Sequence, residues 1–195
     1  MSVMLDLIGS TTIGAYVILM GIQLNQNIIA HTDSSNANLN VQESLVNVVR
    51  TIEYDFRKIG YGVVDPKTSI EISGPTQIRF QGDIDRDGTI DKISWFVAPY
   101  KNGMDTVFAL FRQVNTQTPF LMSVGVKDFS LRYLRENGTP ADTTAKSQIW
   151  IIETTLNVES PYQVADEILG YDKMSTIKGF WRQTRLASRN IKRHG

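Results

Sequence analysis

Residues 3–30 read VMLDLIGSTTIGAYVILMGIQLNQNIIA, and between Ile13 and Leu24 the one strongly polar side chain is Gln23. A helix in a globular core keeps its apolar residues to one stripe, whereas this segment is apolar most of the way round. It is long enough to cross a bilayer, which takes about 20 residues. Asp6 and the run Ser10, Thr11, Thr12 pull against a plain span. Three readings stand: a membrane anchor or assembly helix, a cleaved signal peptide, or a helix buried in the chain's own core. The first is preferred, because the segment has no basic n-region and no small-x-small cleavage site before its polar end.

Downstream, HTDSSNANLN (31–40) is a poor helix former whose side chains compete for backbone hydrogen bonds. Helical spacing then resumes. Leu45, Val49, Ile52, Phe56 and Ile59 form one apolar stripe, with Arg50, Glu53, Arg57 and Lys58 on the other sides. Gly60-Tyr61-Gly62 should end the helix, glycine being free to take the left-handed cap. If residues 3–59 form one helix, it is a rod roughly 85 Å long at 1.5 Å per residue.

From Ile70 the period changes to two. Strands are expected at 77–81, 90–97, 106–114, 129–134, 148–158 and 177–189, with turns at Lys101-Asn102-Gly103 and Glu136-Asn137-Gly138. The polar, irregular stretch 159–175 reads as a long loop. One long helix followed by an antiparallel sheet, on which the 45–59 stripe can pack, is an α+β fold. The expected division is 1–30 as a hydrophobic membrane or filament-core helix, 31–62 as its amphipathic half, and 63–195 as an antiparallel β head.

Composition narrows the function. Twenty Lys+Arg balance twenty Asp+Glu over 195 residues, so nothing points to nucleic acid. The basic residues gather only at Arg182, Arg185, Arg189, Lys192 and Arg193. Without cysteine there is no disulfide framework, thiolate nucleophile or Cys-based zinc site. His31 and His194 are far apart in sequence, and no serine-hydrolase, zinc-protease or phosphate-loop motif occurs. Trp95, Trp150 and Trp181 sit in or beside strands and are expected in the core. The chain is therefore expected not to be an enzyme.

One stretch does carry chemistry. Residues 83–91 read DIDRDGTID. Asp83, Asp85 and Asp87 match positions 1, 3 and 5 of an EF-hand loop, with Gly88 at 6, Thr89 at 7 offering its carbonyl, and Asp91 at 9. Alternate spacing lets three short carboxylates converge, and a hard cation relieves their repulsion. Ile90 is expected to point into the sheet. Position 12 is Ser94 in place of a bidentate glutamate, so the expectation is a weak, extracellular-type, structural Ca²⁺ site. A solvated acidic turn, with Arg86 and Lys92 as counter-charges, is the alternative.

The layout resembles the type IV pilin and type II secretion pseudopilin superfamily, most closely PilW-like minor pilins and J-type pseudopilins. The resemblance is carried by the apolar segment running into VQESLVNVVRTIEYDFRKIGYG, by TQIRFQGDIDRDGTIDKISWFV, by VKDFSLRYLRENG and by the closing RLASRNIKR. It implies a pilin-like ladle, a non-enzymatic filament subunit polymerising through its N-terminal helix. Partners would be further copies and related pilins, with the bacterial inner membrane before assembly and the cell surface after it. Family members start with a short basic leader, and the mature chain carries glutamate at position five. Here no leader is read, and removal of Met1 would put Asp6 at that position. A carboxylate in hydrocarbon is costly unless paired, so Asp6 would meet a neighbouring copy's N-terminal amine. A carboxylate at the membrane surface, or one capping the first turn, is the plainer role. Gly9, Gly14 and Gly21 would permit close approach or local unwinding. A membrane-tethered, calcium-stabilised adhesion module that never polymerises is the competing function.

Overall fold

The computed structural model describes residues 2–103, 105–165 and 174–187. Its first element is a single helix, α1 (Ser2–Arg57), of 56 residues and about 84 Å. The helix runs unbroken through 31–40. Each poor helix former there costs only tenths of a kcal/mol, whereas ending and renucleating a helix is strongly unfavourable. Past Arg57 the chain turns at Gly60 and Gly62, both in the left-handed region at φ 75° and 76°.

Eight strands follow among the described residues. β1 (Ile70–Ser73), β2 (Gln77–Gly82), β3 (Asp91–Asn102), β4 (Asp105–Val114) and β5 (Phe120–Val124) form one antiparallel sheet in chain order. β6 (Val126–Leu134), β7 (Ile151–Ala165) and β8 (Met174–Ala187) form a second. The single sheet expected from sequence is thus two, and Gly125 is the reason. At φ 77° it kinks an otherwise continuous β5–β6 strand. Its N–H donates to the Phe108 carbonyl of β4, and its own carbonyl accepts from the Glu159 N–H of β7. The second sheet is tied back by the Leu131 N–H on the Pro75 carbonyl and the Tyr133 hydroxyl on the Gly74 carbonyl, both at 2.8 Å.

The short β1 and β5 were not expected, and of the expected 159–175 loop the described residues 159–165 and 174–175 are strand. β7 and β8 stay paired out to Ala165↔Met174, past an irregularity between Glu159 and Gln163. Residues 188–195, with Arg189, Lys192, Arg193 and His194, lie outside the described residues, as do 166–173.

The core fills the space between the last turns of α1 and the two sheets. Val48, Ile52 and Phe56 from the helix, with Ile59 just past its end, meet Ile78, Phe80, Ile93, Trp95, Leu110, Phe129, Ile152 and Leu156. Val48 rather than Val49 lies on the buried line. Gly179 lets the helix come close to β8: a Cβ there would press on Val41 and Leu45, each at 3.2 Å. Trp95 is fully buried, while Trp150 and Trp181 are half-buried against the core.

Two charged residues join this apolar contact against expectation. Asp55 is fully buried. It accepts from the Trp95 indole N–H at 2.9 Å and from Arg112 Nε and Nη2 at 2.7 and 3.0 Å. Trp95 and Arg112 are cross-strand partners on β3 and β4, so both donors rise from one place on one face. Lys58 is buried as well, because residues 81–84 cover that side of the helix.

Replacing Asp55 by Ala leaves a guanidinium and an indole N–H without their acceptor, a change expected to cost about 2–4 kcal/mol. Near-UV circular dichroism of the detergent-solubilised protein should show the unfolding midpoint falling by about 5–15 °C. An Asp55→Asn variant, which keeps an acceptor oxygen but no charge, should melt between the two. If Asp55→Ala melts with the wild type, the buried pair does not hold the helix to the sheet.

Candidate metal centre and assembly helix

The aspartate loop closes the β2–β3 hairpin above the Gly82↔Asp91 pair. It is fastened to the end of α1 by four hydrogen bonds. The Gly60 N–H donates to the Gln81 carbonyl and the Asp83 N–H to the Tyr61 carbonyl, at 2.9 and 2.8 Å. The Tyr54 hydroxyl donates to the Ile84 carbonyl at 2.8 Å, and Lys58 Nζ to the Asp83 carbonyl at 3.2 Å. The Lys58 ammonium also lies 4.2 Å from the Tyr61 ring centroid and 5.7 Å from that of Tyr54. Glycine is required at 82, where a Cβ would overlap the Lys58 carbonyl. Helix and loop are in backbone contact.

Asp83, Asp85 and Asp87 converge, each offering one carboxylate oxygen within 4.8 Å of the others. Asp83 is buried and the other two are exposed. Three hard oxygen donors in this arrangement can hold a metal ion. The loop also satisfies itself internally. Asp83 Oδ1 accepts from the Arg86 N–H at 2.6 Å and Oδ2 from the Gly88 N–H at 3.2 Å. Asp85 Oδ1 accepts from the Asp87 N–H at 3.1 Å. Asp87 Oδ1 accepts from both the hydroxyl and the N–H of Thr89, at 2.5 and 2.7 Å. The Thr89 hydroxyl, then its amide, hold the Asp87 carboxyl below its ordinary pKa, so it stays anionic further into acid. Arg86 and Gly88 take positive φ, 67° and 89°, which makes the sharp turn.

Asp91 stands apart from this cluster. Its Oδ2 accepts from the Ile84 N–H at 3.4 Å and its Oδ1 from Asn115 Nδ2 at 2.7 Å, so it braces the loop's base. Ile90 does not point into the sheet. It is exposed and rests over Gly62, while Ile84 is the buried apolar residue of the loop. The alternation that assigned Ile90 inward stops at Asp91, where β3 begins.

At the other end of the molecule, Val3–Ile29 is long and apolar enough to cross a membrane, and none of it is buried by its own chain. That rules out the buried-helix reading. The Ser10, Thr11 and Thr12 hydroxyls donate to the Leu7 and Ile8 carbonyls at 2.6–3.0 Å. Each polar side chain of that run is thus satisfied on its own helix and is compatible with an apolar surround. Asp6 is exposed. A Cβ at Gly9, Gly14 or Gly21 would meet nothing within 4 Å, and the helix passes through all three without unwinding.

No known protein-family model matches the chain, and no curated protein matches it. The class that the fold itself defines is an α+β chain whose apolar N-terminal helix continues onto antiparallel sheets, loosely pilin-like.

Sequence reasoning found the three converging carboxylates but missed the residues that hold them. Tyr54 stands in the last turn of α1 and Lys58 and Tyr61 in the turn after it, and their spacing of i, i+4 and i+7 was the available signal.

Calcium titration read by thermal unfolding should raise the melting temperature saturably, with half-effect at about 0.1–1 mM. Asp85→Ala and Asp87→Ala should abolish that rise while changing the metal-free stability by no more than about 0.5 kcal/mol. Asp83→Ala should cost about 1–3 kcal/mol even without metal, since it strips two amides of their acceptor. Equal melting of the wild type with and without calcium marks the loop as a solvated acidic turn.

Proposed function

We propose that this protein is a non-enzymatic structural subunit of a type IV pilus-like or pseudopilus-like surface filament, polymerising through the N-terminal half of α1. One observation carries the reading: a single helix is anchored by packing and a buried ion pair at one end, and is uncovered over a largely apolar span of 27 residues at the other. The β head would form the filament surface, and the membrane would hold the subunit before assembly. Ser10, Gly14 and Gly21 recur at four and seven residues along one side of α1, a notch for a neighbouring helix. Asp6 would pair with an N-terminal amine of another copy, setting the axial stagger. A PilW-like or J-type place within the superfamily is the finer form of this proposal. The aspartate loop would be a calcium site that stiffens the join of head and stalk.

The same uncovered span fits a membrane-tethered adhesion module that never polymerises. Negative-stain microscopy of the purified full-length protein separates the two, fibres being expected from the first and micelle-bound particles from the second. Removing residues 1–25 should leave a soluble, folded monomer by size-exclusion chromatography with light scattering. In a fibre-forming preparation, Asp6→Leu should stop fibre growth without changing the head's near-UV spectrum. Insoluble or unfolded head lacking residues 1–25 defeats the division of labour between stalk and head.

A further inference from the structure

A cleft of about 700 Å³ on the head, sharing no lining residue with the aspartate loop or the apolar span, is lined by Lys67, Arg135, Glu136, Asn137, Ser147, Gln148 and Trp150. Its size falls in the range of small-ligand sites. Three separate pieces of chain build it: the 3-10 turn Pro66–Thr68, the turn after β6, and the stretch from the 3-10 turn Lys146–Gln148 to Trp150, the residue before β7. The walls are pinned by backbone hydrogen bonds. The Arg135 N–H donates to the Thr139 carbonyl at 2.8 Å, the Trp150 N–H to the Leu134 carbonyl at 2.9 Å, and the Ile149 N–H to the Lys146 carbonyl at 3.1 Å. Asn137 is fixed by its Oδ1, which accepts from the Thr139 N–H and hydroxyl at 3.0 and 2.7 Å. Gly138 takes φ 80° to make that turn.

The lining chemistry is specific. Trp150 is half-buried against the core. Unlike Trp95, whose indole N–H is satisfied by Asp55, its indole N–H has no acceptor among the described residues. Lys67 and Arg135 are exposed, and neither forms an ion pair among the described residues. Around them stand two amides, a serine hydroxyl and one carboxylate. An indole face is electron-rich and attracts the slightly positive C–H face of a pyranose ring. Amide, hydroxyl and carboxylate groups pair with ring hydroxyls, and a guanidinium takes a carboxylate in bidentate fashion. Two cations are too few for the phosphate run of a nucleic acid, and the chain has no net charge to draw one in.

We infer that this cleft is a binding site for an acidic saccharide: one sugar ring lies on Trp150 and a uronic carboxylate is held between Arg135 and Lys67. The site is independent of polymerisation, since none of its residues belongs to α1 or to the aspartate loop. It would give either a filament or a tethered head a ligand of defined chemistry.

Isothermal titration of the full-length protein in detergent, without calcium, tests this with tetragalacturonate as the probe. Maltotetraose is the neutral control, and a short oligothymidylate is the competing polyanion. The expected result is saturable binding of tetragalacturonate that neither maltotetraose nor oligothymidylate matches. Trp150→Ala and the double change Lys67→Ala with Arg135→Ala should each raise Kd at least about tenfold. The lysine and arginine side chains are exposed, so that double variant should fold as the wild type does and provides the decisive arm if Trp150→Ala misfolds. No saturable binding of tetragalacturonate, unchanged affinity in the double variant, or equal binding of oligothymidylate overturns the inference.

Discussion

The fold depends on one buried carboxylate. Asp55 sits on the core face of α1, one turn from Ile52 and beside Phe56, and takes three hydrogen bonds from a single cross-strand pair. Apolar contact alone would let a smooth helix rotate or slide over a sheet by a fraction of a turn with little loss. A bidentate guanidinium together with an indole N–H permits one rotation and one axial position. A buried ion pair contributes little net stability against an apolar replacement; its contribution here is register. That register places Tyr54 and Lys58, the residue before Asp55 and the third after it, against residues 83 and 84.

The aspartate loop is therefore an extension of the helix's packing and not an independent hairpin tip. Its backbone accepts from Tyr54 and Lys58, and its first amide donates to the Tyr61 carbonyl. Whatever stiffens the loop stiffens the point where the rod meets the head. Lys58 makes this contact possible at a buried position because its ammonium faces two tyrosine rings and donates to one carbonyl, with no carboxylate partner among the described residues. A charge placed there also keeps a cation close behind the acidic cluster.

How much of this could be read from the sequence differs from one element to another. The long helix, its glycine stop, six of the eight strands and the three converging aspartates follow from periodicity and spacing. The residues 31–40 read as a weak point, yet they stay helical because local preference is small beside the cost of a break. β1 and β5, at four and five residues, are too short for alternation to register. The division into two sheets turns on the backbone angle of Gly125, which no pattern of side chains encodes. Asp55 and Lys58 look like ordinary surface charges in a stripe analysis. What buries them is long-range: Trp95 and Arg112, 40 and 57 residues away, and the loop folding over the helix end. Asp91 matches a ligand spacing, but Asn115, the residue after β4, engages it.

The uncovered half of α1 poses the remaining physical problem. Fifteen large apolar side chains between Val3 and Ile29 are exposed on the isolated chain. Shielding them is worth on the order of tens of kcal/mol, more than the net stability of an ordinary domain, about 5–15 kcal/mol. The surroundings of this segment thus matter to the molecule as much as the fold of its head. A bilayer satisfies the apolar side chains and accepts the Ser10, Thr11 and Thr12 hydroxyls, which are already bonded to their own backbone. Its hydrocarbon interior does nothing for Asp6, whose carboxylate needs a cation or the water of the membrane surface, and it leaves Gly14 and Gly21 without a packing role, with open space where a Cβ would be. A second helix of the same kind would supply a close surface for the glycines and, as proposed above, an amine for the aspartate. On this argument the two features that fit a lone membrane anchor worst are those that a bundle of copies would use.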